Sequence, residues 1–331
     1  MRVNAALIKK RLSRLADKLD SPVIIPRWEW YNPNFLYFTG MDVDHSIALA
    51  DDGGLTIFTV KMNEGMCRKI YGGIAEVVVF TKVSELKEKI KGAAIDASYI
   101  PYVLYRRLYT RGIKSAEKEL GEIREVKDSE EIGLMRDARK KTLNILRGIK
   151  AMGRREDEVK LRILVEIVKT GGVEAFSTIV ANSRNARFPH YASGNSRIDD
   201  YALIDMGVRH KYYNADITRC IGKMGEMEKT YAALQHTAEE VSDVAYAGRE
   251  IRDFIAEVGR IIKKNGLKEF PHGIGHGIGL EVHELPWLSK KAKGELKENS
   301  IITIEPGQYE KKGARYEDMY VIGKKCAKLM D

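Results

Sequence analysis

The second part of the sequence repeats its own pattern, and this limits the folds open to it. AMGRREDEV followed by GGVEAF is echoed by YAGREIRDF followed by NGLKEF, so Gly153 and Gly172 correspond to Gly248 and Gly266. The echo continues in order: His190 is matched by His283, Asp205 by Glu305 and Asp216 by Glu317, each displaced by nearly the same length of chain. Any one echo is weak. Together they describe a duplicated unit of two helices, a His-bearing segment and a strand pair carrying two acids, related by a pseudo-twofold axis.

Asp205, Asp216, His276, Glu305 and Glu317 lie in short polar interruptions of apolar, strand-like stretches: ALIDMG, NADITR, GIGHGIG, IITIEPG and ARYEDMYVI. Four carboxylates lining a core are very costly without cations, because buried charge must be paired or coordinated. The five therefore read as ligands for two metal ions. A tight turn between His210 and Lys211 predicts Asp205 and Asp216 as a directly opposed cross-strand pair, with Cβ atoms roughly 4.5–5.5 Å apart. A slightly longer turn in EKKG, residues 310–313, does the same for Glu305 and Glu317. Hard carboxylates with one imidazole and no thiolate favour Mn²⁺, Co²⁺, Fe²⁺ or Zn²⁺ over Cu(I) or a structural zinc site. Two such ions about 3.5–4 Å apart can hold a bridging water, lower its pKa and polarise a carbonyl, which is the equipment of a hydrolase.

Composition frames this reading. A chain of 331 residues with 44% apolar and 31% charged residues suits about two globular domains. The N-terminal stretch MRVNAALIKKRLSRLADKLD alternates apolar and basic residues at helical spacing and lacks the features of a signal peptide. No run reaches the roughly 18 apolar residues of a membrane span. Cys67, Cys220 and Cys326 are scattered, as suits free thiols in a reducing cytoplasm. The net charge of +9 is spread thinly, and its Lys clusters lack interleaved aromatics, so a solvated surface is expected rather than a nucleic-acid face.

Ahead of the repeat, a helix is expected over about residues 4–19. Strands are expected at PVIIP, SIALA, LTIFTV, EVVVF and AAID, with a helix at 83–91, giving an α/β domain. DSEEIGLMRDARKK then opens a new helix with an acidic, Ser-containing start. The expected domains are residues 1–124 and 125–331. His45, His210 and His236 are read as ordinary core or surface residues. Arg315, two residues before Glu317, shares its strand face and can pair with that carboxylate or with substrate. The glycines of GIGHGIG do not spell a dinucleotide fingerprint, since the third position of either register is Ile278 or Leu280.

The motifs IDMG, NADITR, HGIGHGIGLEVHELP, TIEPG and ARYED resemble those of the pita-bread metallopeptidases, which include methionine aminopeptidase, aminopeptidase P and prolidase. NPNFLYFTG resembles the creatinase-type N-terminal domain of aminopeptidase P and prolidase, so the resemblance covers almost all of the chain. It implies an α/β creatinase-like domain followed by an α+β pita-bread catalytic domain. It further implies that Asp205 chelates one metal, that His276 and Glu305 hold the other, and that Asp216 and Glu317 bridge both. Glu305 would accept a proton as hydroxide attacks the scissile carbonyl. His190 and His283 would contact substrate, stabilise the tetrahedral intermediate or assist proton transfer to the leaving nitrogen. His272 would touch substrate.

The ions implied are two divalent metals, Mn or Co, with Zn and Fe as alternatives; a homodimer is implied as well. In some prolidase-like sequences an Arg that grips the free carboxylate of a dipeptide stands where this chain has Trp287, which cannot form that ion pair. Trp287 can instead wall a proline ring. The expectation is thus an aminopeptidase P-like enzyme acting on peptides with proline second. The alternatives are an Xaa-Pro dipeptidase (prolidase), a small-molecule amide hydrolase on the same scaffold, and a non-catalytic peptide-binding module.

Overall fold

The computed structural model describes residues 3–52, 54–108 and 112–328. It divides into two compact units, Met1–Arg124 and Glu125–Asp331.

The first unit runs α1 (Ala5–Ala16), β1 (Val23–Arg27), α2 (Pro33–Thr39), β2 (Ser46–Asp51), β3 (Gly54–Val60), α3 (Glu64–Tyr71), β4 (Glu76–Phe80), β5 (Ala94–Ile95), α4 (Tyr102–Leu108) and α5 (Glu117–Glu125). Its sheet has the order β4-β3-β2-β1-β5, with an antiparallel centre and parallel pairing at both edges. Val23, Ile24 and Ile25 are all fully buried, as expected of a strand covered on both faces. Helix α2, unforeseen in the sequence, has clear local causes. The Asn32 side chain accepts from the amides of Asn34 and Phe35, Pro33 occupies the first turn, and Gly40 ends the helix at φ 72°. The helix expected at 83–91 is instead a 3₁₀ turn at Val83–Leu86 followed by further turns. Its β-branched start is a poor nucleus for so short a helix. Val83, Leu86 and Ile90 are nevertheless buried in the core with Ile24, Ile47 and Phe58.

The second unit shows the duplication in its element order. Its first half is α6 (Ser129–Gly148), α7 (Glu156–Lys169), β6 (Val173–Glu174), β7 (Ile179–Asn182), β8 (Tyr201–Met206), β9 (Val208–His210), β10 (Tyr213–Asn214) and β11 (Ile217–Gly222). Its second half is α8 (Glu228–Val244), α9 (Ile251–Lys264), β12 (His276–Gly277), β13 (Glu284–Trp287), β14 (Ile301–Ile304), β15 (Gly307–Tyr309), β16 (Gly313–Arg315), β17 (Asp318–Val321) and β18 (Ala327–Lys328). Helix α6 starts in a capping box: Asp128 accepts from the Glu131 amide while the Glu131 carboxylate accepts from the Asp128 amide. Asp318 on β17 accepts from Arg139 of α6 (2.8 Å) and from Arg219 of β11 (2.7 Å), tying the two halves together. Lys127 donates to Glu284 at 2.7 Å, with both side chains almost wholly buried. No described helix is long and apolar enough to cross a membrane.

Two hairpins carry the acids, and one differs from expectation. In the second, Ile304 pairs with Asp318 and Gly307 with Arg315, so the same register runs on both sides of Glu305 and Glu317 and sets them opposite each other. In the first, Asp205 pairs with Thr218 rather than with Asp216, two residues out of the expected register. The turn residues are Lys211 and Tyr212, both at positive φ (47° and 74°), as in a two-residue I′ hairpin turn. Gly207 then falls opposite Asp216. A Cβ there would lie 1.8 Å from the Ala215 carbonyl oxygen, so only glycine fits this break in the ladder.

Candidate metal centre

Three side chains delivered by separate strands form the heart of the site. Asp216 from the break before β11, His276 from β12 and Glu317 from the break before β17 each offer a ligand atom, all within 4.8 Å of one another. His276 Nε2 lies 3.7 Å from an Asp216 oxygen and 3.8 Å from a Glu305 oxygen. Glu305 thus borders the same cluster. Asp205 stands behind it, held through one oxygen by the Arg315 guanidinium. All five expected ligands are therefore neighbours, with Asp216, His276 and Glu317 the tightest group.

Burial at this density perturbs three of the acids. Desolvation holds the Asp216 carboxyl well above the usual carboxylate range, reinforced by the charges of Glu317, Asp205 and Glu305. Burial also raises Glu305 far above its ordinary value, with Glu317 adding to the effect. Glu317 is pushed up to about 7, by burial first and by Asp205 second. In the other direction, burial lowers His276 to about 4, so its imidazole is neutral at neutral pH, the form a metal requires. His272 is likewise lowered to about 4, chiefly by burial.

The residues fit a divalent cation on one direct observation. Asp205 Oδ1 and Asp216 Oδ1 are buried and find no hydrogen-bond partner. Orphaned carboxylate oxygens in a protein interior are very costly, and a bound cation would satisfy them.

A ring of groups orients this centre. Thr218 donates to Glu317 (2.6 Å), and Arg315 donates to Thr218 (3.0 Å) while holding Asp205. Arg315 also reaches the Tyr309 hydroxyl (3.2 Å), which is 2.7 Å from His272 Nε2. His272 Nδ1 in turn lies 3.6 Å from Glu305. The anticipated pairing of Arg315 with Glu317 is longer, at 4.0 Å; its principal partner is Asp205. Thr218 and Tyr309 escaped the sequence reading. Thr218 had a signal, two residues beyond Asp216 on one strand face, whereas Tyr309 acts only through the folded hairpin.

The remaining candidates lie around this ring. The His283 ring is 4.3 Å from that of His276, and its pKa is lowered by burial and then by His190. His190 is exposed, next to Pro189, whose carbonyl accepts from Arg315 (3.4 Å). Trp287 faces His276 across the β12–β13 ladder and is 52% exposed. By contrast, His45, His210 and His236 are engaged with Asp44, Lys141 and Glu240, away from the cluster.

Known proteins share this architecture. The description of metallopeptidase family M24 matches residues 133–324. An Xaa-Pro dipeptidase of Pyrococcus furiosus is 29% identical over 344 aligned residues, covering 98% of each chain. An X-Pro aminopeptidase from Thermotoga maritima has a TM-score of 0.85 at 26% identity, covering 97% of each chain. An Xaa-Pro dipeptidase from Bacillus anthracis reaches 0.87 at 21% identity, covering 98% of this chain and 97% of its own. The fold is accordingly an α/β N-terminal domain followed by a pita-bread domain with an internal repeat. With its helix pairs, its two acid-bearing hairpins and this match over residues 133–324, the chain belongs to metallopeptidase family M24.

Proposed function

We propose that the protein is a metal-dependent Xaa-Pro peptidase acting as a dipeptidase. The observation that carries the hydrolytic reading is the pair of orphaned buried oxygens on Asp205 and Asp216 beside the Asp216, His276 and Glu317 cluster. The dipeptidase reading draws on the Pyrococcus furiosus relative, which matches over 98% of both chains and bears that name. It replaces the aminopeptidase P-like preference expected from Trp287. A half-exposed ring beside His276 can pack on proline in either kind of substrate, so it does not favour the longer one.

Asp205, Asp216, His276, Glu305 and Glu317 would hold two divalent ions; the hard carboxylates with one imidazole suit Mn²⁺, Co²⁺, Zn²⁺ or Fe²⁺, and of these Mn²⁺ or Co²⁺ is the choice the family resemblance implies. When bound, such ions supply the Lewis acidity that activates water and polarises the scissile carbonyl. Glu305 has the most accessible side chain of the five, at 17% exposure, and is the residue to take the proton of the attacking water. His283 and exposed His190 flank the ring from the two halves of the repeat, where they can hydrogen-bond the developing oxyanion and pass a proton to the leaving proline nitrogen. Arg315 keeps one Asp205 oxygen occupied and leaves the other to the cluster.

A paired assay tests the reading. The metal-loaded protein is expected to cleave Xaa-Pro dipeptides with higher kcat/KM than Xaa-Pro-Yaa tripeptides. The reverse ranking returns it to an aminopeptidase, and turnover of N-acylated small amides alone rejects peptidase activity.

A further inference from the structure

We propose that the first unit carries a ligand site of its own, for a small molecule that joins a planar ring to phosphates, of which a nucleoside diphosphate is the type. The site is separate from the metal centre and does not depend on the peptidase reading. Strands β1 and β3 both run antiparallel to β2, and β4 runs parallel to β3, so β1, β3 and β4 point the same way. Trp28 follows β1, Val60 ends β3 and Phe80 ends β4. All three line a cavity of about 530 Å³, shared with the loop after β4 and with Arg107 of α4. Open α/β sheets bind their ligands in the crevice outside the carboxyl ends of the strands, and a volume of this size suits a small molecule.

The chemistry of the lining identifies the ligand. The rings of Trp28 and Phe80 lie 25° from parallel with centroids 6.2 Å apart, and Val60 and Val83 join them in an apolar wall. A flat ring packs well on such a wall. The charged lining is Lys82, Lys87 and Arg107, with the hydroxyls of Thr81 and Ser84 beside them. Among the described residues no acid lines the cavity. Glu85, in the same loop, accepts instead from the amides of Thr81 (3.2 Å) and Lys82 (3.1 Å). Three cations without an opposing carboxylate make a concave surface of one sign, which concentrates anions. The guanidinium fork of Arg107 matches phosphate oxygens, and the two lysines add point charges for a second phosphate. A monocarboxylate would leave two of the three cations unanswered, and inorganic phosphate would leave the aromatic wall uncovered.

Isothermal titration of the full, metal-loaded chain with adenosine diphosphate, adenosine and inorganic pyrophosphate tests this. The diphosphate is expected to bind with a Kd below about 100 μM, and each half of it at least tenfold more weakly. Arg107→Glu should weaken the diphosphate at least tenfold, as should the Lys82→Glu/Lys87→Glu double variant. Lys82 and Arg107 are exposed, so replacing them leaves packing intact. Trp28→Ala should weaken the diphosphate and leave pyrophosphate unchanged, with Trp28→Leu taking its place if the smaller residue folds poorly. Nucleotides also chelate metal ions, so Asp216→Ala is titrated alongside. Binding that persists in Asp216→Ala and is lost in Arg107→Glu supports the cavity. The reverse pattern puts the ligand on the metal centre and overturns the proposal. So does a diphosphate that fails to bind at that level, or pyrophosphate that binds as tightly as the diphosphate. A single-stranded oligonucleotide that binds tenfold more tightly than the diphosphate overturns it too, since the surface would then be a track for a polymer.

Discussion

At the scale of single residues, the centre is governed by charge held out of water. Four carboxylates converge where Arg315 offsets only part of their repulsion, and Asp216, Glu305 and Glu317 are biased toward their protonated forms. Replacing Asp216 or Glu317 with Ala should abolish turnover and lower bound metal together, measured by metal analysis beside the peptidase assay. Full turnover in either variant would remove these two from the ligand set. The His283→Ala change should instead slow turnover while metal content stays put. The titration has a definite sign. Glu317 loses its proton near 4.5 when unfolded but near 7 when folded, so the metal-free protein loses stability as pH rises through that window. A bound cation needs the deprotonated acid and reverses the trend. The gap in Tm between metal-loaded and chelator-treated protein should therefore widen from about pH 5 to about pH 8. A gap that stays constant over this range contradicts the titration assigned to Glu317.

At the scale of elements, hairpin geometry decides which residues face inward. Gly207 is the tightest case, with the Ala215 carbonyl passing where a side chain would begin. Gly207→Ala should cost at least about 1–3 kcal/mol in chemical denaturation and displace Asp216 from the cluster. A variant with wild-type stability and activity would show that the break can relax. The same hairpin marks the boundary of what was legible in the sequence. Asp205, Asp216, His276, Glu305 and Glu317 stood out because each interrupts an apolar strand, and the structure gathers them. The Glu305–Glu317 register was legible because its turn lies in a short polar stretch ending in Gly313. The Asp205–Asp216 register was not, since Lys211 and Tyr212 adopt positive φ without the Asn-Gly signal that announces such a turn. Helices α2 to α5 are too short for periodicity to reveal, and α2 depends on the Asn32 cap. Tyr309 could not be read at all: its hydroxyl bridges His272 and Arg315 only once β15 and β16 have paired.

At the scale of the molecule, distant segments are joined by a few buried ion pairs. Lys127, at the start of the second unit, pairs with Glu284 on β13, beside His283 and Trp287. Lys127→Ala leaves a buried carboxylate with its cation removed and should cost about 3–5 kcal/mol, read as a drop in denaturant midpoint. An unchanged midpoint would mean that Glu284 finds water or another partner. The orphaned oxygens of Asp205 and Asp216 have a broader consequence. A cation that binds only the folded chain shifts the folding equilibrium by mass action, about 1.4 kcal/mol per ion for each tenfold excess over its dissociation constant. The free-metal concentration around the protein thus acts as a thermostat on its lifetime. Chains made under metal starvation carry the same sequence but spend more time open to proteases, and the amount of enzyme as well as its activity follows the metal supply.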